Sequence, residues 1–377
     1  MNSGCYEKLA EPSSAFPSNN GSLDGAHAAI WGGTFGNRLA PIASLACRDD
    51  IRLLAYRYGL LVAVSPQTLL TFRWDGHNWT KNGVAVPFPD PHGFEPGSLI
   101  LDDGYAFIIG NNRAFAVSIT DSAVFKDFPG VYACQTKDER HWVALHASED
   151  GRTEVLVVDT TLWEEDYFTI DLNINEITGA VLRNGLHIST DGHGVFTLDI
   201  DTGATNSYPE LSDCRCIRIA SLNDRLLTIG YDSARQLCLW SINGTSVNAI
   251  PLLYQNVVAE FSASPNNIFV ACVAGILPFE RDMLTRNLNM VNLPENADTK
   301  PDMLAISDNA GNSRLLLKRS SPGRIETNLV NPQTGAVDAI AATPNMPILC
   351  VADSKLVIAS REGPEMKVRT YIFQEAR

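Results

Sequence analysis

A short, almost entirely apolar segment recurs along this chain of 377 residues. Its copies include LLVAV, YAFIIG, RLLTIG and KLVIAS. The eight copies begin at Leu60, Tyr105, His141, Gly185, Arg225, Asn267, Ser313 and Lys355. The starts are on average about 42 residues apart, within the roughly 40–45 residues that a four-stranded repeat occupies. This period predicts one repeat architecture rather than a series of independent domains.

The segments around each copy follow one pattern, which is clearest from Cys216 to Leu252. There, CIRIASL, RLLTIGY, QLCLWSI and VNAIPL are separated by Asn, Asp, Gly or Ser. Nearly continuous apolar runs are typical of strands covered on both faces, whereas alternating runs are typical of strands that meet water. The pattern predicts four antiparallel strands per repeat and less than about a tenth helix, well below the usual third.

Tight turns with glycine occupy the same place in several repeats, between the third and fourth predicted strands. They lie in LDIDTGATNS, LVNPQTGAVDA and WSINGTSVNA. These hairpins resemble those of quinoprotein-like and related β-propellers, and the resemblance implies an all-β fold, a single β-propeller of four-stranded antiparallel blades over residues 27–377. The signature of WD repeats is not kept, because Trp74-Asp75 is the only Trp-Asp pair.

The number of blades follows from the two ends of the repeat region. Seven four-strand units run from Ile51 to about Ala342, after which only PILCVA, KLVIAS and KVRTYIF remain. A three-stranded blade would leave an unpaired edge. We therefore predict eight blades, with the ring closed by an N-terminal strand near Leu39 to Leu45 that joins the C-terminal blade. Seven blades with an irregular N-terminal piece is the alternative, and residues 1–26 are expected to be a flexible tail.

The charge balance restricts the class of partner. The formal net charge is −14 and the calculated pI about 4.9. Nucleic-acid binding requires clustered Lys and Arg, so this balance argues against a nucleic-acid partner. No segment reaches the ~18 apolar residues of a membrane span. Several of the eight cysteines lie in apolar runs, where cysteine behaves as a small hydrophobe. We expect a reduced, cytoplasmic setting.

Two patterns could bind a metal ion, and each has a simpler interpretation. Cys214-x-Cys216 lacks the second pair of ligands that a structural zinc site needs. Asp199-x-Asp201-x-Gly203 resembles the start of a calcium loop but lacks the ligating Glu at loop position 12. We interpret the first as two strand-edge cysteines and the second as a hairpin turn. No metal, cofactor or catalytic residue is predicted.

Candidate binding residues come from connections that should open on one face of the propeller. These are the connections between second and third strands and the links between blades. The candidates are His92, Phe94, Asp191, His193, Asp232, Arg235, Phe279, Arg281 and Asp282. Phe88 and Phe94 would be exposed interface anchors on the Pro-rich link after the first blade. In the sixth blade, Pro278 and the charged run after it would disturb the third strand.

The sequence therefore predicts a non-catalytic protein-interaction or scaffold module that binds another protein through loops on one face. The alternative is a propeller hydrolase or lyase that acts on a carbohydrate or another small polar ligand at the central channel. Converging acidic, His or Arg side chains at the channel mouth would favour this alternative. Trp163, between the third and fourth strands of the third blade, is expected on the opposite face.

Overall fold

The computed structural model describes residues 29–30, 32, 34–36, 38–89, 94–111, 113–148, 152–222, 225–252, 260–263, 267–272, 275–280, 291–292, 302–321, 323–345 and 347–374. Within these residues there is no α-helix, and the helical structure consists of two 3₁₀ turns, Ile174–Glu176 and Pro209–Leu211. All other regular structure is β-strand, which confirms the predicted all-β class. The predicted tail, residues 1–26, lies outside the described residues.

The strands fall into consecutive groups that define sheets 1 to 8. Two strands precede the first sheet: β1 (Ala29–Ile30) and β2 (Arg38–Cys47). Sheet 1 contains β3 (Leu53–Arg57), β4 (Leu60–Val64), β5 (Thr68–Trp74), β6 (Trp79–Lys81) and β7 (Val86–Pro87). Sheet 2 contains β8 (Pro96–Leu101), β9 (Tyr105–Gly110), β10 (Arg113–Ser118) and β11 (Ala123–Pro129). Sheet 3 contains β12 (Val131–Lys137), β13 (His141–Ala147), β14 (Thr153–Asp159) and β15 (Glu165–Ile170).

The second half of the chain continues the series. Sheet 4 contains β16 (Ile177–Leu182), β17 (Leu186–Thr190), β18 (Val195–Leu198) and β19 (Thr205–Ser207). Sheet 5 contains β20 (Arg215–Leu222), β21 (Arg225–Tyr231), β22 (Leu237–Asn243) and β23 (Ser246–Pro251). Sheet 6 contains β24 (Glu260–Ala263), β25 (Asn267–Cys272), β26 (Gly275–Glu280) and β27 (Val291–Asn292). Sheet 7 contains β28 (Asp302–Ser307), β29 (Ser313–Ser321), β30 (Arg324–Val330) and β31 (Val337–Thr343). Sheet 8 contains β32 (Ile348–Ala352), β33 (Lys355–Glu362) and β34 (Glu365–Gln374).

Strand order within sheets 1 to 8 follows the chain, except that β7 pairs with β5, and paired strands within these sheets are antiparallel. The eight recurrent apolar segments are the second strands β4, β9, β13, β17, β21, β25, β29 and β33. Leu61–Val64 of β4 are all buried, while most of β15 is exposed. This gradient is expected when neighbouring sheets cover the inner strands on both faces and the last strand faces water.

Apolar clusters lie between consecutive sheets and hold them together. Leu53 and Val64 of sheet 1 pack with Leu99 and Ile108 of sheet 2. Similar clusters join sheets 2 and 3, 3 and 4, 4 and 5, 6 and 7, and 7 and 8. One further cluster joins the first sheet of the series to the last, through residues that include Leu61 and Val357. Each fully buried side chain of this kind contributes roughly 1.5–3 kcal/mol.

The N-terminal segment crosses from sheet 7 to sheet 8. Strand β1 pairs in parallel with β28, and the Phe35 N–H donates to Asp308 Oδ2 at 3.1 Å. Strand β2 then pairs antiparallel with β34, from Arg38 opposite Gln374 to Cys47 opposite Met366. The strand predicted near Leu39 to Leu45 is therefore present, and it is the fourth strand of sheet 8.

The predicted turns between third and fourth strands are present with the expected backbone. Gly203 and Gly335 both have φ +73°, in the left-handed region that favours glycine. The Asp199 carboxylate accepts the N–H groups of Asp201 and Thr202 at 2.9 and 3.0 Å. The Asp199 pKa lies below its ordinary value because of these backbone hydrogen bonds, the one from Thr202 first. The carboxylate thus serves the hairpin turn, as the hairpin interpretation predicts.

Candidate functional site

The connections between strands lie on two opposite sides of the molecule. We call one side the loop face; it carries the second-to-third connections and the links between sheets. There, the Asp191 N–H donates to Glu176 O at 2.7 Å and the Glu95 N–H to Asn111 Oδ1 at 3.2 Å. The hairpin face carries the other connections. There, the Thr160 N–H donates to the carbonyl oxygen of Arg140 at 2.8 Å.

Charged side chains of sheets 4 and 5 meet on the loop face. Arg215 contacts the carboxylate of Asp191 with two nitrogens, Nε at 2.5 Å and Nη2 at 3.0 Å. An isolated backbone bridge joins the same two residues. His193 Nε2 lies 3.8 Å from Glu176 Oε2. We call Glu176, Asp191, His193 and Arg215 the loop-face cluster. All four side chains are between 41% and 57% exposed, so each ion pair contributes at most about 1 kcal/mol to folding.

The predicted pair Asp232 and Arg235 lies in the β21–β22 connection, on the same face. Asp232 Oδ1 accepts the N–H of Gln236 at 2.7 Å, so this carboxylate is used by its own turn. Arg235 has φ +64° and an exposed side chain. Of this pair, Arg235 is therefore the residue that is open to a partner, and the structure shows no contact between it and the loop-face cluster.

The expectation that Phe88 and Phe94 are exposed anchors is wrong. Phe94 is 1% exposed and Phe88 3% exposed. Their rings lie 5.1 Å apart, and each packs against Phe115 of β10. The link between sheets 1 and 2 folds its aromatic side chains into the core between them, because burying a ring of this size outweighs leaving it in water. His92 lies outside the described residues.

The sixth sheet also differs from the prediction. Pro278 lies inside the third strand, β26, opposite Phe269 of β25. Among the described residues, β27 pairs with Gly275 and Ile276 of β26. The backbone of Phe279 belongs to β26, and Arg281 and Asp282 lie outside the described residues. Phe279 therefore lies in a third strand and not in a second-to-third connection, as the sequence had suggested.

The cysteine pair is buried in the core between sheets 4 and 5. Cys214 and Cys216 are 5% and 0% exposed, and both are free thiols. Burial raises the pKa of Cys216 to about 12, which favours the thiol over the thiolate that zinc requires. Among the described residues, no group of three or more His, Cys, Asp or Glu side chains could hold a metal ion. The two cysteines are therefore core residues and not the strand-edge residues that the sequence predicts.

One feature was missed by the sequence reasoning: an aromatic cluster around Trp163 on the hairpin face. The Trp163 ring lies 4.5 Å from that of Phe125 and 4.7 Å from that of Tyr105. Lys126 Nζ donates to Trp163 O at 3.1 Å and also pairs with Glu165. Trp163 has φ +59°, which is rare for a bulky residue.

A cavity of about 220 Å³ lies where the N-terminal segment meets sheet 7. Its lining includes Phe35, Arg314 and Asp338. The Arg314 guanidinium lies 5.0 Å from the centre of the Phe35 ring, and burial lowers its pKa. The charges of Asp308 and Asp338 are close enough to raise the Arg314 pKa and so offset part of this lowering.

Comparison with known proteins gives a fold but no family. No protein-family model matches the chain, and no curated protein matches it. Among solved structures, Saccharomyces cerevisiae Sqt1 is 10% identical with a TM-score of 0.62, and the match covers 91% of this chain and 100% of that one. The computationally designed Ika8 protein is 13% identical with a TM-score of 0.61, covering 88% and 99%.

The WD40 domain of Neurospora crassa Pan2 is also similar. It is 10% identical with a TM-score of 0.50, and the match covers 92% of this chain and 98% of the domain. At these identities the likeness shows the fold alone. Together with the successive antiparallel sheets, it shows that the chain has a β-propeller fold. No helix within the described residues is long and apolar enough to cross a membrane.

Proposed function

We propose that this β-propeller is a non-catalytic protein-interaction module that binds another protein through its loop face. The observation that carries the proposal is the loop-face cluster, in which Arg215 of sheet 5 is fixed on Asp191 of sheet 4. Both charges are exposed, and a backbone bridge keeps them in place before any partner arrives. Such a pre-arranged pattern of charges gives specificity and speeds association with a complementary surface.

The same proposal includes eight blades in one closed ring. It is supported by the shared core between sheets 1 and 8, and by the pairing of β2 with β34. A closed ring holds the connections of sheets 4 and 5 in a fixed relation, because each sheet is packed between two neighbours. The loop face is then a rigid surface on which Arg235 and the loop-face cluster can contact one partner.

The test is capture of partners from the native cells with wild-type protein and with Arg215→Glu, followed by quantitative mass spectrometry. A partner of the loop face should be reduced about tenfold or more, since like charges placed opposite each other cost several kcal/mol. Arg73→Glu is the matched control, because Arg73 is exposed near the end of β5 on the hairpin side. That variant should keep the partner.

A charge swap distinguishes recognition of the two charges by a partner from an effect of Arg215→Glu on the local structure. Asp191→Arg combined with Arg215→Glu restores an ion pair between the two sheets but reverses its polarity. A partner that recognises the charge pattern should stay lost in this double variant. If Arg215→Glu and the swap both capture the same proteins as the wild type, the loop-face cluster does not bind a partner and the proposal is wrong.

A further inference from the structure

Three turns between third and fourth strands share one backbone arrangement, but one of them has a different residue type at a position where the other two have glycine. In each, the N–H of the fifth residue donates to the carbonyl oxygen of the first. The distances are 2.8 Å for Gly203 to Asp199, 2.8 Å for Gly335 to Asn331 and 2.7 Å for Trp163 to Asp159. The fifth residue has φ between +59° and +73°. Trp163 therefore occupies a position that the sibling turns give to glycine.

A tryptophan at this position costs free energy. The left-handed backbone is unfavourable by roughly 1–2 kcal/mol for a residue with a Cβ atom. The sibling turns show that the hairpin forms without a large side chain, so the turn itself does not need the indole ring. Strained residues of this kind persist only where the surroundings hold them, and they are concentrated at functional sites.

The surroundings of Trp163 are an aromatic surface that is partly open to water. Beyond the contacts with Phe125 and Tyr105, Trp163 stacks on Phe107 at 6.0 Å. Large side chains remain exposed on its ring neighbour Phe125, by 48%, on the adjacent Leu162, by 60%, and on Tyr167 of β15, by 55%. We call Phe125, Leu162, Trp163 and Tyr167 the Trp163 patch. Exposed apolar side chains that are bordered by polar residues mark interaction sites in many proteins.

Carboxylates surround the patch and define the charge of a fitting partner. Glu164 is exposed, and Glu165 accepts a hydrogen bond from the Tyr167 hydroxyl at 2.9 Å. Asp127 and Glu154 lie close enough to Tyr132 that, after burial, their charges help to raise its pKa. The nearby cations are already used, because Lys126 pairs with Glu165 and Arg113 lies 3.8 Å from Asp127. The rim of the patch is therefore acidic.

The packing of the rings excludes one class of ligand. An aromatic cage for a methylated ammonium group needs an open space between rings. Here Tyr105, Phe125 and Trp163 contact one another directly, and Lys126 Nζ already lies 6.0 Å from the centre of the Trp163 ring. The available surface consists of exposed ring faces bordered by carboxylates. Arginine fits this combination, because its planar guanidinium stacks on rings and pairs with carboxylates.

We propose that the Trp163 patch binds an arginine-bearing segment of a partner protein, with guanidinium groups that stack on the exposed rings and pair with Glu164 and Glu165, and with aliphatic side chains that pack on Leu162. The patch lies on the hairpin face, away from the loop-face cluster. The inference therefore does not depend on the function proposed above, and a variant of one surface leaves the other intact.

The test measures binding of short fluorescent peptides by anisotropy. An alternating Arg-Leu peptide is compared with Lys-Leu and Glu-Leu peptides of the same length. The wild type should bind the Arg-Leu peptide more tightly than the Lys-Leu peptide and should not bind the Glu-Leu peptide. Trp163→Gly should weaken Arg-Leu binding about tenfold or more, as expected for a buried interface tryptophan. Because the sibling turns carry glycine, this variant should fold, and circular dichroism checks it.

Matched controls distinguish binding at the Trp163 patch from general attraction of the peptide to an acidic protein. Val337→Ser removes an exposed apolar side chain from β31, another outer strand, and should leave binding unchanged. Glu165→Lys and Glu210→Lys change the net charge by the same amount, but Glu210 lies at a distant exposed position. Only Glu165→Lys should weaken binding. Leu162→Ser provides a second patch variant if Trp163→Gly does not fold, since Leu162 is mostly exposed.

Several results would overturn the proposal. Equal binding of the Arg-Leu and Lys-Leu peptides, or unchanged binding in Trp163→Gly and Leu162→Ser, would show that the patch does not recognise arginine. Light scattering that shows a dimer of the wild type, lost in Leu162→Ser, would assign the patch to a second copy of this chain. Arg-Leu binding that appears only after deletion of residues 1–26 would assign it to the chain's own N-terminal segment.

Discussion

At the scale of single residues, the turn from Asp159 to Trp163 shows how one repeated position can serve different purposes. Its first residue is conventional: Asp159 Oδ1 accepts the N–H groups of Thr161 and Leu162 at 2.8 and 3.0 Å. Its fifth residue is not, because a tryptophan replaces the glycine of the sibling turns. Asp159 therefore stabilises the turn, whereas the presence of Trp163 is explained by the exposed Trp163 patch to which it belongs.

The pKa of Asp159 predicts a pH dependence of stability. The Leu162 N–H and the Arg140 guanidinium hold this pKa at about 2, against an ordinary value of 3.8. The ionised carboxylate therefore stabilises the folded state above about pH 4, and this contribution is lost as the pH falls towards 2. Asp159→Asn keeps an oxygen that can accept the turn hydrogen bonds, as Asn331 does at 3.0 and 3.4 Å, but loses the charge.

Thermal unfolding of wild type and Asp159→Asn between pH 2 and pH 7 checks this prediction. The variant should unfold at a lower temperature at pH 7, and the difference should shrink as the pH approaches 2. Asp103→Asn is the control, because Asp103 is an exposed turn residue whose side chain makes no hydrogen bond that the structure shows. A difference that stays constant over the whole range would mean that the charge of Asp159 does not stabilise the fold.

The residues of the site were harder to predict than the strands. Asp191 and His193 were recognisable as residues of a loop-face connection, but their contacts, Arg215 and Glu176, depend on how two sheets are placed side by side. Phe94 was misjudged because a Pro-rich link was expected to be exposed. Trp163 could have been found from the sequence by aligning Asp159-Thr-Thr-Leu-Trp163 with Asp199-Ile-Asp-Thr-Gly203, which places the tryptophan at the glycine position.

At the scale of elements, the strands were predictable because burial imposes a simple pattern on each of them. The second strands are covered on both sides, so most of their positions are apolar. The connections between strands show no such sequence pattern, because each one is held by its own individual contacts. The β17–β18 connection is an example: Gly194 has φ +72°, and its N–H donates to Cys214 O at 2.9 Å.

This packing predicts different costs for two glycine substitutions with the same backbone strain. Gly335→Ala should lose about 1 kcal/mol, because φ is +73° and a Cβ atom would meet nothing within 4 Å. Gly194→Ala should lose about 1–3 kcal/mol more, because its Cβ atom would lie 2.0 Å from Leu211 O.

Urea unfolding of both variants measures the difference. Capture of the loop-face partner should decrease in Gly194→Ala and persist in Gly335→Ala, which changes only a hairpin-face turn. Equal losses of stability would show that the β17–β18 connection can move away from Leu211, and that the loop-face cluster is less rigid than the contacts indicate.

At the scale of the whole molecule, the sequence predicted an all-β chain and the repeated sheets, because a period of about 42 residues leaves few alternatives. It also predicted a strand near Leu39 to Leu45, from the missing fourth strand of the C-terminal sheet. The path of the N-terminal segment over sheet 7 was not predictable, since single hydrogen bonds such as that from Phe35 to Asp308 direct it.

Removal of β2 tests its role in the ring. Deletion of residues 1–47 should expose the ten-residue edge of β34 and lower the midpoint of thermal unfolding by at least about 5 °C. An open edge of this length also favours aggregation, which light scattering detects. Deletion of residues 1–26 leaves β2 in place and should change neither property. Normal stability without β2 would favour the seven-blade alternative.

The pairing of β2 with β34 also has a consequence for protein synthesis. The ribosome makes β2 early, and roughly 300 further residues must follow before its partner strand is complete. At about 5–20 residues per second, this strand waits on the order of 15–60 s without its native neighbour. During that time seven sheets can form in order, but the last one cannot. Sheet 8 should therefore form last, after β34 has left the exit tunnel.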